Sequence, residues 1–266
     1  MSGFDVTRHY RNFRRSFLKL AAAVFTAALV LSPSLVVGVA PAQAIQPSEI
    51  LRYEVTWNGR KAGHGDVTTF GGSGKVKVVV QAVSDGVLKA IMELWSRAQA
   101  SFNPKTFRPR RYRFQLKSSL LKSEWVDLTF NHKTGLVKVN KQKGDERDSH
   151  SEKFEASYDP VTAAYLLRSQ EDFSKPMFVD IYDGKARARL FVTPGGSETV
   201  KVKCGFYPAI RLNLRLVRLT GEKKEIATGC LWISNDRHHI PLLLTSSPVV
   251  GTVKFELVQV QRPKSL

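Results

Sequence analysis

The densest group of reactive side chains in the sequence is Asp236-Arg237-His238-His239. Histidine beside an acid could ligate a metal or relay protons. Adjacent residues on a strand point to opposite faces, so His238 and His239 cannot easily serve one ion. The segment leads into the strand-like Ile240-Pro241-Leu242, and a turn is the expected structure. His64, between Gly63 and Gly65, stands alone at a strand edge. Gly71-Gly72-Ser73-Gly74-Lys75 invites comparison with a phosphate loop, which needs Gly where Thr69 stands and Ser or Thr where Val76 stands. Strand patterns flank it on both sides, so a glycine hairpin turn is expected. No serine sits in a Gly-x-Ser-x-Gly elbow. Paired acids of a glycosidase would come from different strands, so spacing does not identify them. The sequence assigns no catalytic, cofactor-binding or metal-binding residue, and the reading leans away from an enzyme.

The compartment is legible. Arg8, Arg11, Arg14, Arg15 and Lys19 precede an uncharged run from Leu20 to Val39, and Ala42-Gln43-Ala44 supplies a small-x-small cleavage pattern. Residues 1–44 are expected to be a signal peptide cut after Ala44. Pro33, Gly38 and Pro41 interrupt the apolar run, which argues against a retained span. Arg14-Arg15-Ser16-Phe17-Leu18-Lys19 has the form of a twin-arginine export motif, with Phe13 where Ser or Thr is usual. An Arg-rich Sec signal is the alternative. The expected destination is the periplasm, with no transmembrane segment after cleavage.

Net charge is +18, and removing the first 44 residues takes five basic residues and one acid with it, leaving +14. Outside the cytoplasm such a surface meets anionic membrane or acidic envelope polymers rather than nucleic acid. A surface tuned only for solubility is the other reading. Cys204 and Cys230 are the two cysteines. An even count in an oxidising compartment points to a disulfide, worth about 3–4 kcal/mol. Two buried free thiols are the alternative, and no His lies near either for a metal pair.

Residues 45–266 are expected to form one β-rich domain, since no flexible linker or repeat divides them. Period-two alternation recurs: Leu51, Tyr53, Val55 and Trp57; Val76, Val78 and Val80; Tyr112, Phe114 and Leu116; Leu212, Leu214 and Leu216; Val253, Phe255 and Leu257. One dry and one wet face imply antiparallel sheet. Turns are expected at Asn58-Gly59, Gly71–Gly74, Asn103-Pro104, Pro194-Gly195-Gly196 and Asn235-Asp236. About a dozen strands result. Helical spacing of Val87, Leu88, Ile91, Met92 and Trp95 predicts a short helix over 85–95. Asp159 as cap and Pro160 in the first turn predict a second one running through Leu167. Charge-dense residues 141–155 read as a mobile loop. The expected fold is mainly β, a curved antiparallel sheet or unclosed β-barrel with two short helices.

Several of these segments carry a family resemblance. Tyr53-Glu54-Val55, Asn58-Gly59, Tyr158-Asp159-Pro160, Ala163-Ala164-Tyr165, Leu231-Trp232-Ile233 and Gly251-Thr252-Val253-Lys254-Phe255-Glu256-Leu257 occur in an order that resembles the bacterial envelope domain-of-unknown-function family 3108 (DUF3108), over about residues 50–260. The resemblance implies a curved sheet and carries over no functional residue. The leading expectation is non-enzymatic binding or carriage of an apolar or amphipathic envelope ligand, such as a lipid, held within the curved sheet. A structural or partner-binding envelope module is the second reading, and a periplasmic hydrolase the third. A soluble protein is expected rather than an outer-membrane barrel, because Pro263-Lys264-Ser265-Leu266 supplies no closing aromatic strand.

Overall fold

The computed structural model of the protein describes residues 48–72, 74–154, 157–221, 224–246 and 251–262. The export residues Arg14 and Arg15 and the cleavage residue Ala44 lie outside them. Eight strands come first: β1 (Ser48–Trp57), β2 (Arg60–Phe70), β3 (Val76–Ser84), β4 (Leu94–Phe102), β5 (Pro109–Ser118), β6 (Glu124–Asn131), β7 (Leu136–Lys143) and β8 (Glu146–Lys153). Helix α1 (Gly86–Ile91) interrupts them after β3, and α2 (Pro160–Arg168) follows β8. The chain ends with β9 (Met177–Tyr182), β10 (Arg187–Val202), β11 (Gly205–Arg218), β12 (Glu225–Ser234), β13 (Pro241–Ser246) and β14 (Val253–Gln261).

The strands form one antiparallel sheet in the order β8-β7-β6-β5-β4-β3-β2-β1-β14-β13-β12-β11-β10-β9. Sequence neighbours pair throughout. The exceptions are β1 with β14, which joins the two halves, and β8 with β9, which stand at opposite edges. Helix α2 carries the chain between those edges across the inner face. Asp159 caps it by accepting from the backbone N–H groups of Val161 and Thr162 at 3.1 and 3.0 Å. Val161 and Tyr165 pack with Phe102, Tyr112 and Leu128, while Ala163 and Leu167 pack with Leu190, Leu212 and Ile233. A helix apolar on two sides is buried on two sides, and each large side chain so covered contributes about 1.5–3 kcal/mol. The sheet therefore curls around α2 without closing its ladder.

Side chains and one short backbone bridge draw the free edges together. Tyr158 donates to Asp180 O and accepts from Tyr182 N, both at 2.9 Å, pairing in parallel with β9. The Tyr182 hydroxyl donates to Glu152 of β8, and Arg187 reaches Lys153 O at 3.1 Å. The β9–β10 turn dips inward, where Lys185 meets Glu124 at 2.8 Å.

Four expectations need correction. The described part of the expected loop, residues 141–154, is not a mobile loop; it holds the end of β7 and all of β8. An edge strand exposed on both faces shows no apolar alternation, and its charges protect it from further pairing. Helix α1 ends at Ile91, with only Leu88 buried, and Trp95 belongs to β4. Pro194-Gly195-Gly196 is not a turn but a bulge within β10, where register shifts between Pro194 and Ser197. Cys204 and Cys230 are not bonded. Cys230 lies opposite Asn213 on β11, whereas Cys204 is at the tip of the β10–β11 hairpin beyond Gly205. Cys204 Sγ lies 3.5 Å from Leu257 O on β14 and Cys230 Sγ lies 3.5 Å from Asn213 Oδ1 on β11, so each sulfur is turned to a different partner.

Candidate functional site

Beneath the last turn of α2 lies a buried ionic network. Glu49 is 4% exposed. It accepts from Arg168 at 2.9 and 3.3 Å and from Arg262 at 3.0 Å. Arg168 also donates to His238 O at 3.2 Å and lies over the Tyr165 ring at 5.1 Å. Burial presses the Glu49 carboxyl upward, but the two arginines outweigh it and hold the pKa below the usual value. A carboxylate ionised and occupied in this way is a poor proton donor or general base. The network ties the start of β1, the end of α2 and the end of β14 together.

The Asp236–His239 cluster closes onto this network as the expected turn. Asp236 accepts from Ser234 Oγ at 2.9 Å and from His238 N at 2.7 Å. His239 binds Arg168 O at 3.0 Å and stands edge-on to Phe173 at 5.0 Å. Burial and then the Arg262 charge press His238 below its ordinary pKa. The two histidines are fixed by different neighbours, and among the described residues no three of His, Cys, Asp or Glu gather at metal-binding spacing. His64 is an exposed β2 residue.

The outward face of β3–β7 has another character. Register aligns Lys77, Ser101, Arg111, Thr129 and Lys138 in one row across five strands. Cations two strands apart in that row are separated by roughly 10 Å. The next row holds Gln99, Arg113, Asp127 and Asn140, the next Arg97, Gln115 and Trp125, and the last Trp95 and Lys117. Asp127 accepts from Arg111 at 2.8 and 2.6 Å and from Arg113 at 2.8 Å. Burial raises its pKa, and these arginines more than reverse the effect. One acid thus orders two guanidiniums and leaves the face strongly positive. Aromatic rings lie among the cations: Phe70 is 49% exposed with Lys77 at 5.9 Å, and Lys117 is 5.8 Å from the Trp95 ring. A lipid-facing barrel would carry an apolar band there instead. Among the described residues no helix is long and apolar enough to cross a membrane.

Two clefts open on this side. One of about 370 Å³ is lined by residues of α1 and the neighbouring ends of β3, β4 and β5, including Ser84, Lys89, Trp95 and Lys117. The other, of about 200 Å³, lies among Asp66, Phe70, Val79 and Arg97.

The family described as "Protein of unknown function (DUF3108)" matches residues 52–258. The chain belongs to that family. No curated protein matches this DUF3108 chain in sequence. Among solved structures, a β-barrel-like protein of domain family DUF1849 from Brucella abortus is similar over 83% of this chain and all of its own, with 12% identity and a TM-score of 0.60. That likeness is one of fold. A proposed lipoprotein from Parabacteroides distasonis matches with 9% identity over 83% of this chain and 97% of its own, at a TM-score of 0.36. An exported-type protein with a YmcC-like fold from Bacteroides fragilis matches with 10% identity over 89% of this chain and 100% of its own, at a TM-score of 0.33.

Neither the basic rows nor the Glu49 network was singled out by motif. Glu49 shares the parity of Leu51 and Tyr53, which marks an acid on a dry face. The outward lysines and arginines were visible as the wet half of each alternation, but their alignment depends on register.

Proposed function

We propose that this DUF3108 protein is a non-enzymatic envelope protein that binds an anionic, amphipathic envelope component on the outward face of β3–β7, in the periplasm. The observation that carries the reading is the row Lys77–Arg111–Lys138, with the exposed Phe70 ring beside Lys77 at one end of it and Trp95 by Lys117 three rows along the same face. Regularly spaced cations suit phosphate-bearing headgroups, and the rings suit their less polar parts. Carriage of an apolar ligand inside the sheet has less support, because α2 and its partners occupy the inner face.

The test is flotation of the purified protein with vesicles containing lipopolysaccharide and with neutral phosphatidylcholine vesicles. Binding is expected only to the first, weakening as salt rises, because screening shortens to about 8 Å at physiological ionic strength. Each of Lys77→Gln and Lys138→Gln should weaken it by about fivefold, at about 1 kcal/mol per basic residue near an anionic surface. Equal binding to both vesicles, or no effect of salt and substitutions, would reject the reading.

A further inference from the structure

We propose that the cleft beside α1 is a subsite for a phosphorylated sugar, an inference that rests on the outward-face reading above and names the chemistry it takes. The cleft adjoins the last row of that face, where Trp95 and Lys117 are direct cross-strand partners. Its hydroxyls are oriented by the backbone. Ser84 Oγ accepts from Leu94 N at 2.9 Å, Ser119 Oγ from Glu93 N at 3.1 Å and Ser118 Oγ from Leu120 N at 3.2 Å. A serine oxygen that accepts from a fixed N–H still has its own proton to donate. Three of the serines that line the cleft therefore keep a hydroxyl proton to donate, and Lys89 and Lys117 line it with them. The acid lining it, Glu93, is 71% exposed on its side chain and lies 3.9 Å from Lys89. A wall rich in donors and poor in acceptors selects a ligand rich in acceptors, and phosphate is the strongest such group.

Phosphate alone would not need the indole. Trp95, with Lys117 Nζ over its ring at 5.8 Å, places an apolar surface beside the donors, against which the C–H face of a pyranose ring can rest while its hydroxyls meet the serines. The volume of about 370 Å³ lies within the size range of small-ligand sites, roughly 300–1,000 Å³. Trp95 and Lys117 belong both to the cleft lining and to the last row of the basic face, so a sugar seated there can remain joined to a larger anionic molecule lying across that face.

The experiment is calorimetric titration of the purified protein with glucosamine 1-phosphate, and separately with glucosamine and inorganic phosphate. The sugar phosphate is expected to bind about tenfold or more tighter than either half, because ring and phosphate engage different walls of the cleft. Trp95→Leu and Lys117→Gln should each weaken it by about tenfold, with thermal unfolding unchanged in at least the lysine variant. Equal affinity for inorganic phosphate, or unchanged affinity in both variants, overturns the sugar subsite. If no sugar phosphate binds but salt-sensitive binding to lipopolysaccharide vesicles persists, the subsite falls and the outward-face reading stands. If both are absent, both fall.

Discussion

Glu49 on the first strand and Arg168 on the last turn of α2, 119 positions apart, form a two-pronged ion pair. Removing one partner leaves the other charged and buried, at a cost of about 3–5 kcal/mol. Glu49→Gln should therefore destabilise strongly, and Glu49→Leu with Arg168→Met should recover much of the loss. The pKa of Glu49 is lowered on folding, so its contribution is present above the ordinary value near 4.5 and disappears as pH falls through the lowered one. Urea unfolding of the three proteins at neutral pH checks the claim. A double variant weaker than the single one would reject it.

Asp159 has the opposite sign. Its burial pushes the pKa up to about 6, against the pull of Thr162 and the capped N–H groups. A raised carboxyl favours the folded state most below its ordinary value of 3.8, and that contribution is lost as pH rises to about 6 and beyond. Asp159→Asn keeps a cap acceptor for Val161 and Thr162 without the titration. The stability of the native protein relative to this variant should fall by on the order of 3 kcal/mol between pH 4 and pH 7.5. Denaturation curves at several pH values measure the difference. A difference independent of pH would show that Asp159 does not titrate in this way.

The contrast between these acids shows what the sequence could and could not convey. Asp159 was legible because its partners are local: a cap, a proline and the first helical turn. Glu49 had a local clue in its dry-face parity, but its partners come from α2 and the end of β14. The strands with one dry face declared themselves, whereas β8, wet on both faces, looked like a loop. The outward rows depend on pairings between strands, and alternation identifies a wet face without saying which cations share a row. Trp95 illustrates the same point: its spacing from Ile91 fitted a helix, yet its neighbour is Lys117 across β5.

The cysteines should titrate as two free thiols in denatured, unreduced protein. Cys204 lies 3.5 Å from Leu257 O, and Cys230 lies 3.5 Å from Asn213 Oδ1, so each sulfur has its own surroundings. Cys230→Ser should change stability by less than about 1 kcal/mol, since it breaks no crosslink and can keep the contact to Asn213. Thiol counting with a chromogenic disulfide measures the first point and thermal unfolding the second. Detection of no thiol would overturn the geometry.

The turn at Gly184 tests how the open sheet holds its ends together. Gly184 has φ +84°, and a Cβ there would stand 2.6 Å from Val126 Cγ1 and 2.9 Å from Leu128 Cδ2. Gly135 also has positive φ, at +66°, but a Cβ there would meet nothing within 4 Å. Gly135→Ala should therefore cost only the backbone strain, about 1–2 kcal/mol. Gly184→Ala adds a clash with two core side chains, and overpacking of this kind costs about 1–3 kcal/mol more. The turn lies between β9 and β10, while Val126 and Leu128 belong to β6, so the clash pushes the two ends of the sheet apart. The excess loss in Gly184→Ala should be accompanied by faster amide exchange at Tyr158 and Tyr182, whose backbone bridge lies on that edge. Equal melting temperatures for the two variants would mean that the β9–β10 turn does not bear on β6 in solution.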